Sequence, residues 1–311
     1  MKCKVCRGPA IAKFPAHNAN FCAEHFDQFF GRQVEKAIRR YRMLQPGDRV
    51  LVAVSGGKDS LVVADILSRL GYDVHGLHIN LGIEDNGFSD QSLDICRHFF
   101  TDRGLPLEIF SLQEQFGKRI KDVGRRFDRF CSICGMTKRH LMNARAVEQG
   151  LDALATGHNL DDLSAALFAN LMRWDVRYLA KGVPCLPPEG GFCRKIKPLA
   201  LLTEKEIATY AAVRKIKVVT ATCPHSREAK FKRYKELLAA VEEQSPGTKR
   251  AFYEGYVRTV PLFQGHAEAA PGLRPCRVCG MPTTVEVCTF CKVWRQEHVP
   301  CVRISGRRSP A

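Results

Sequence analysis

Acidic residues are in deficit in this chain: 311 residues hold 32 Asp and Glu against 48 Lys and Arg, a formal net charge of +16. A cationic partner is disfavoured, and an acidic one, most commonly nucleic acid, is favoured. Long apolar runs are missing as well. None approaches the ~20 residues that a membrane-spanning helix needs. The N-terminal Met1-Lys2-Cys3-Lys4-Val5-Cys6 lacks the apolar core of a secretory signal. These absences lead us to expect a cytoplasmic protein with no membrane partner. Composition is otherwise that of a globular chain, long enough for one large core with small appendages or for two domains.

Cysteine, by contrast, is abundant. There are 14, and in a cytoplasmic setting that argues for metal rather than disulfides. Pairs spaced C-x-x-C occur at Cys3/Cys6, Cys131/Cys134, Cys276/Cys279 and Cys288/Cys291. Cys3 and Cys6 are followed by Cys22-x-x-His25, so that four soft or borderline ligands in two knuckles make a closed tetrahedral zinc site. Cys276, Cys279, Cys288 and Cys291 make a second. Each module is too small to fold on its own apolar area, and metal would supply the stability. A structural role follows from the lack of an open coordination position.

The stretch Ser55-Gly56-Gly57-Lys58-Asp59-Ser60 carries the clearest chemistry. It follows a buried-strand pattern, Arg49 to Val54, and precedes Leu61 to Leu70, whose apolar spacing suits a helix packed on a sheet. Two glycines let the backbone turn sharply and approach a ligand. The positive end of the new helix points to the same place. Ser55 and Ser60 add hydroxyls, and Asp59 a metal or ribose contact. The stretch is neither a Walker A loop nor a Rossmann fingerprint. It matches the S-G-G-x-D-S signature of PP-loop enzymes, which open ATP at its α-phosphate and adenylate a substrate. A glycine-rich turn without a ligand is the plainer reading.

Strand and helix signals alternate around this stretch: strands over 73–80, 105–112 and 152–156, and a helix over 91–101. Alternation implies a parallel sheet with helices on both faces, and a ligand crevice at the carboxyl ends of its strands. The expected fold class is therefore α/β, a PP-loop parallel sheet with helices on both faces, flanked by N- and C-terminal zinc-binding modules. The divisions are 1–45 for the first zinc module and a basic helix (24–44), 46–222 for the nucleotide domain, 223–272 for a helical extension and linker, and 273–311 for the second zinc module and a basic tail. Basic runs over 118–129 and 227–235 suit RNA phosphates, or are solvated surface. Residues 185–193 read as a loop over the sheet edge, and Thr203 with Glu206 as a capping box.

Lys138 lies one helical turn beyond Cys134, on its face, placed to neutralise phosphate or hold a departing AMP. Asp161 and Asp162 cap a helix after Gly157, hold magnesium, or position a substrate group. Cys96 reads as core. Cys185, Cys193 and Cys301 have no evident partner, although Cys185 or Cys193 entering the reactive site is one option. Cys131, Cys134 and the solitary Cys223 remain. A redox dithiol, a third zinc site and an iron–sulfur cluster are all open to them, as is a persulfide.

Taken together, these residues resemble, nearly end to end, the tRNA 2-thiolation enzymes of the PP-loop group that carry two zinc fingers. The resemblance implies that Cys131, Cys134 and Cys223 bind a [4Fe–4S] cluster, and that Lys138 and Asp162 are catalytic. It implies ATP contacts at Ala53, Asp59, Ile79 and Gly157. It implies ATP-dependent, magnesium-assisted adenylation of the C2 carbonyl oxygen of a tRNA uridine or ribothymidine. Sulfur from a ubiquitin-like thiocarboxylated carrier protein then displaces AMP. A homodimer is also implied. In one respect the chain departs from the family: Leu163-Ser164 follow Asp162 where an acidic residue and Ala are usual. Two other readings are a PP-loop ligase or amidotransferase acting on a small molecule, and a zinc-finger nucleic-acid-binding protein without catalysis.

Overall fold

The computed structural model describes residues 1–83, 87–127, 130–221, 223, 230–266 and 272–294, with only the backbone at 124–127 and 230–231. Arg129, Arg227, Cys301 and the tail from Arg303 to Arg308 lie outside the described residues, as do the side chains of Arg125 and Arg126.

The chain begins with a short hairpin, β1 (Ala12–Phe14) and β2 (Ala19–Phe21), followed by α1 (Ala23–Arg40). The helix ends short of the expected Leu44. Arg42 takes a left-handed φ of 50° and the Met43 N–H turns back to the Ile38 carbonyl at 2.9 Å. Such a reversal satisfies the end of a helix and buries the apolar residues that follow it, here Met43 and Leu44.

The central sheet starts with β3 (Arg49–Val54), then α2 (Lys58–Arg69), β4 (Asp73–Asn80), α3 (Phe88–Thr101) and β5 (Leu107–Ser111). Next come α4 (Leu112–Phe116), α5 (Ile120–Phe127), α6 (Phe130–Glu148), β6 (Ala153–Ala155), α7 (Leu160–Leu171) and α8 (Val176–Leu179). A hairpin of β7 (Cys185–Leu186) and β8 (Arg194–Ile196) precedes α9 (Glu204–Val213). Strand order is β5-β4-β3-β6-β8-β7. All neighbours are parallel except β7, which runs antiparallel to β8 at the edge. Residues 187–193 are thus the expected loop at the sheet edge, while Cys185 and Leu186 belong to a strand of the hairpin it closes. Two- and three-residue strands are too short for an alternation pattern to show in sequence.

Both sheet faces are covered, and β3 shows how. Val50, Val52 and Val54 face a core shared with α1, α2 and α9. Leu51 faces a second cluster with Ala146 of α6 and Leu154 of β6. Successive side chains point to opposite faces, so a strand buried on both sides reads as an unbroken apolar run. The chain closes with α10 (Lys230–Gln244), α11 (Thr248–His266), a two-strand ribbon of β9 (Arg274–Pro275) and β10 (Pro282–Thr283), and α12 (Thr289–Trp294). The Phe30 and Tyr210 rings, stacked at 4.0 Å, join α1 to α9.

A buried ionic knot fastens this packing. Asp65 of α2 is 2% exposed. It accepts from Tyr210 Oη at 2.8 Å, Arg103 Nε at 2.8 Å and Arg214 Nε at 3.4 Å. Removing one partner from such a knot strands buried charge. Asp65→Ala is expected to cost about 3–5 kcal/mol of stability, measured by urea unfolding, with Asp65→Asn costing less.

Candidate functional site

The turn after β3 is built around glycine. Gly56 has φ +73°, and a Cβ there would come within 3.2 Å of Ser92 in α3. Ser92 Oγ donates to the Ser55 carbonyl at 2.7 Å, and Ser60 Oγ accepts from the Ser55 N–H at 3.2 Å. Gly57 is the N-cap of α2, and no side chain caps that helix. Its first-turn N–H groups and positive end are therefore offered to an anion.

A second strand end closes on the first. A Cβ on Gly157 would lie 2.9 Å from the Asp59 carbonyl carbon and from the Ser60 nitrogen, so glycine alone fits. Asn159 Nδ2 donates to Asp59 Oδ1 at 3.0 Å. Asn159 also caps α7: its side chain accepts from the Asp162 N–H, and Asp162 Oδ2 accepts from the Asn159 N–H, both at 3.1 Å. Asp162 thus serves as a cap while keeping a second oxygen for Lys235 Nζ at 2.5 Å. Asp161 turns elsewhere, to Lys249 Nζ at 2.5 Å and the Glu204 N–H at 2.8 Å. Leu163 is buried in the main core, which accounts for an apolar residue at that position.

Charges run in a chain across this edge. Lys58 Nζ lies 3.2 Å from Asp59 Oδ2 and 2.9 Å from Glu204 Oε1, and Lys235 Nζ lies 3.5 Å from Glu204 Oε2. Burial alone would raise the Glu204 carboxyl, but the hydrogen bond and charge of Lys58, aided by Lys235, hold it below its ordinary value.

Beside the turn is a cleft of about 550 Å³ including its open mouth, lined by Ala53, Ser55, His78, Ile79, Lys138 and Met142 among others. The expected positions Ala53, Ser55, Ile79 and Lys138 thus share one cleft, with Gly56, Gly57, Asp59, Ser60 and Gly157 at the turn beside it. Cys134 follows on α6. Burial pushes its thiol up, Lys138 pulls it back, and the charges of Cys223 and Cys131 raise it further. Cys134 and Cys223 pack against the same apolar cluster. Val219 N–H donates to the Gly56 carbonyl at 2.9 Å, and Ala221 N–H to Gln91 Oε1 at 3.1 Å. Those bonds pin the segment that leads to Cys223 against the same turn.

Among the described residues, two sets have ligand atoms all within 4.8 Å of one another: Cys3, Cys6, Cys22 and His25, and Cys276, Cys279, Cys288 and Cys291. In the first, Cys6 and Cys22 sulfurs are 3.8 Å apart. In the second, Cys279 and Cys288 sulfurs are 3.7 Å apart, and the Cys288 N–H donates to Cys276 Sγ at 3.3 Å. Tetrahedral thiolates on one zinc ion sit about 3.8 Å apart, so both sets fit such an ion. The Cys131, Cys134 and Cys223 sulfurs are not drawn together in that way. A cluster, in which each thiolate binds a different iron, does not require the closeness of a single-ion set. The second set rests on α6: Trp294 Nε1 donates to Thr137 Oγ1 at 2.8 Å, and Phe290 stacks on His140 at 3.9 Å. Cys96 is buried, its thiol pushed up to about 12 by burial. Cys193 is buried against Asn143 Oδ1, and Cys185 faces the Arg42 carbonyl. Neither is among the residues that line the cleft.

Sequence reasoning missed His78, Ser92 and Glu204, and took Lys235 only as part of a basic run. All four lie in ordinary strand or helix contexts, and their roles come from what the fold sets opposite them.

A parallel sheet ending in a glycine turn and an uncapped helix, with a lysine-lined cleft beside it, defines a PP-loop nucleotide-binding protein. Residues 26–234 match the PP-loop domain family, and residues 2–27 match the N-terminal LIM domain of 2-thiouridine synthetase TtuA. The chain is 42% identical over 294 residues to the tRNA-5-methyluridine(54) 2-sulfurtransferase of Pyrococcus horikoshii, covering 94% of each. It is 43% identical to the enzyme of that name from Thermus thermophilus, covering 94% of this chain and 91% of the other. It also superposes on the solved U34-tRNA thiolase NcsA from Methanococcus maripaludis with its [4Fe–4S] cluster. The TM-score is 0.80 at 29% identity, covering 94% of this chain and 95% of the other. The chain belongs to the PP-loop family that these sulfurtransferases represent. Among the described residues, no helix is long and apolar enough to cross a membrane.

The buried His78 gives the site a pH signature. Its Nδ1–H donates to the Val54 carbonyl at 3.2 Å. Burial lowers its pKa from 6.5 to about 4 against the pull of that hydrogen bond, with Lys138 and Arg97 adding to the fall. A base depressed by folding stabilises fully above its unfolded pKa, and that stability is lost as pH falls from 6.5 toward 4. Wild type is expected to lose roughly 3 kcal/mol over that window from this group. His78→Gln should flatten the slope of urea-unfolding free energy against pH.

Proposed function

We propose that this protein thiolates carbon 2 of a tRNA pyrimidine at the expense of ATP. The observation that carries the reading is the convergence of the uncapped α2 turn and Lys138 at one crevice, with Cys134 one helical turn before Lys138 on α6. Identity of 42–43% to enzymes named for 5-methyluridine(54), against 29% to the U34 thiolase, supports 5-methyluridine at position 54 as the substrate.

A pyrimidine carbonyl is a poor electrophile, and its oxygen a poor leaving group. In the first step that oxygen attacks the α-phosphate of ATP and pyrophosphate departs. The α2 N–H groups and the Lys138 ammonium hold the charge that builds on the phosphoryl oxygens, where a preorganised site is most effective. Asp162, fixed as a cap, and Asp59 are the carboxylates we assign to magnesium, with Lys235 held close to Asp162. In the second step a sulfur nucleophile attacks carbon 2, the C–O bond breaks, and AMP leaves with the former carbonyl oxygen. Cys131, Cys134 and Cys223 are the ligands we assign to a [4Fe–4S] cluster, which would supply an iron open to sulfide. The solved M. maripaludis thiolase carries such a cluster, and that likeness supports the choice over a persulfide. We assign zinc to both terminal sets, a ubiquitin-like thiocarboxylated protein as sulfur donor, and a cytoplasmic homodimer as the working form.

The test is anaerobic incubation with tRNA, ATP and sulfide, followed by mass spectrometry of the nucleosides. We expect one 2-thiopyrimidine and stoichiometric AMP. Lys138→Ala should lower the rate ~100-fold or more, and Asp162→Ala and Cys223→Ser should abolish thiolation. ATP consumption without a thionucleoside would favour a small-molecule ligase. Elemental analysis should find two zinc ions per chain, and one in Cys276→Ser.

A further inference from the structure

The turn between α7 and α8 displays large apolar side chains in water. Met172, Trp174 and Tyr178 are 65%, 71% and 64% exposed. Interleaved with them, Arg173, Arg177 and Lys181 are exposed as well. Asp175 is the only acidic residue in this span, and its side chain is engaged as the α8 N-cap, accepting from the Tyr178 N–H at 3.4 Å.

Trp174 sits where an aromatic residue is least at home. Its φ is +49°, and the Trp174 and Asp175 N–H groups close the end of α7 onto the Leu171 and Asn170 carbonyls at 3.1 and 3.0 Å. That left-handed position after a helix is normally glycine, and a bulky residue there is strained. Arg42 and Lys215 take the same conformation after their helices, but neither is an aromatic side chain. The turn does not yield, because its base is fixed. Leu179 is fully buried, its carbonyl accepts from Tyr256 Oη, and Tyr253 Oη reaches the Gly182 carbonyl at 2.9 Å.

We propose that this turn is a docking surface for the RNA substrate, with an unstacked base lying on Trp174 and Tyr178 and the flanking phosphates on Arg173, Arg177 and Lys181. Aromatic faces with interleaved cations are the means by which proteins hold unpaired nucleotides. A second copy of the chain fits less well. A twofold contact through this face would gather three cations from each copy, with Asp175 the one carboxylate of the span to offset them. The α7 helix carries Asp162 at its start and this turn at its end. Its 12 residues span about 18 Å, a distance that one tRNA arm covers. The inference rests on the tRNA reading above and adds a contact remote from the chemistry.

Trp174→Gly is the decisive variant, since glycine suits the backbone and removes the ring. We expect a melting temperature equal to or above that of wild type, tRNA affinity about tenfold weaker, an unchanged oligomeric mass, and KM for tRNA raised with kcat held. Acrylamide quenching of the exposed tryptophan should fall when wild type is saturated with tRNA. Equal tRNA affinity in Trp174→Gly would overturn the surface while leaving the tRNA reading intact. A change in oligomeric mass would assign the turn to a chain–chain contact and overturn it too. Wild type that binds no tRNA would sink both.

Discussion

The site depends on one close approach, the backbone of Gly157 against that of Asp59 and Ser60. No side chain fits between them, so the ends of β3 and β6 meet at a fixed distance. The Asn159–Asp59 hydrogen bond locks the register of that meeting. The uncapped end of α2 and the capped end of α7 then face a common crevice. The two helix ends are treated in opposite ways: α7 is closed by the reciprocal Asn159–Asp162 capping box, whereas no side chain caps α2.

The sulfur side of the crevice is held by a different device. Helix α6 carries Cys131, Cys134 and Lys138, and the C-terminal cysteine module clasps the same helix through Thr137 and His140. The cysteine module thereby acts as a splint on that helix, with Phe290 and Trp294 buried against it. The N-terminal module does the same for α1, whose aromatic face runs into the main core.

Much of this was legible in the sequence where local rules are strong. The β3 run, the glycine turn, the Thr203–Glu206 box and the two knuckle sets each carry their signal within a few residues, and all appear in the structure. The β7–β8 hairpin was hidden because its strands are too short to alternate. The end of α1 was hidden because an arginine, not a glycine, takes the left-handed position. Lys235 and Glu204 were hidden because their partners are distant in the chain, and no local pattern distinguishes them from surface charge. Cys223 was conspicuous by its isolation, but only the structure shows the bonds of Val219 and Ala221 that hold the segment leading to it against the turn region.

The central claim is that the departing oxygen belongs to the tRNA base. The most direct measurement uses tRNA carrying ¹⁸O at carbon 2 of the target pyrimidine, followed by mass spectrometry of the nucleotide released during thiolation. The account predicts AMP that carries the heavy oxygen in step with sulfur incorporation. Unlabelled AMP, or ADP in its place, would contradict it.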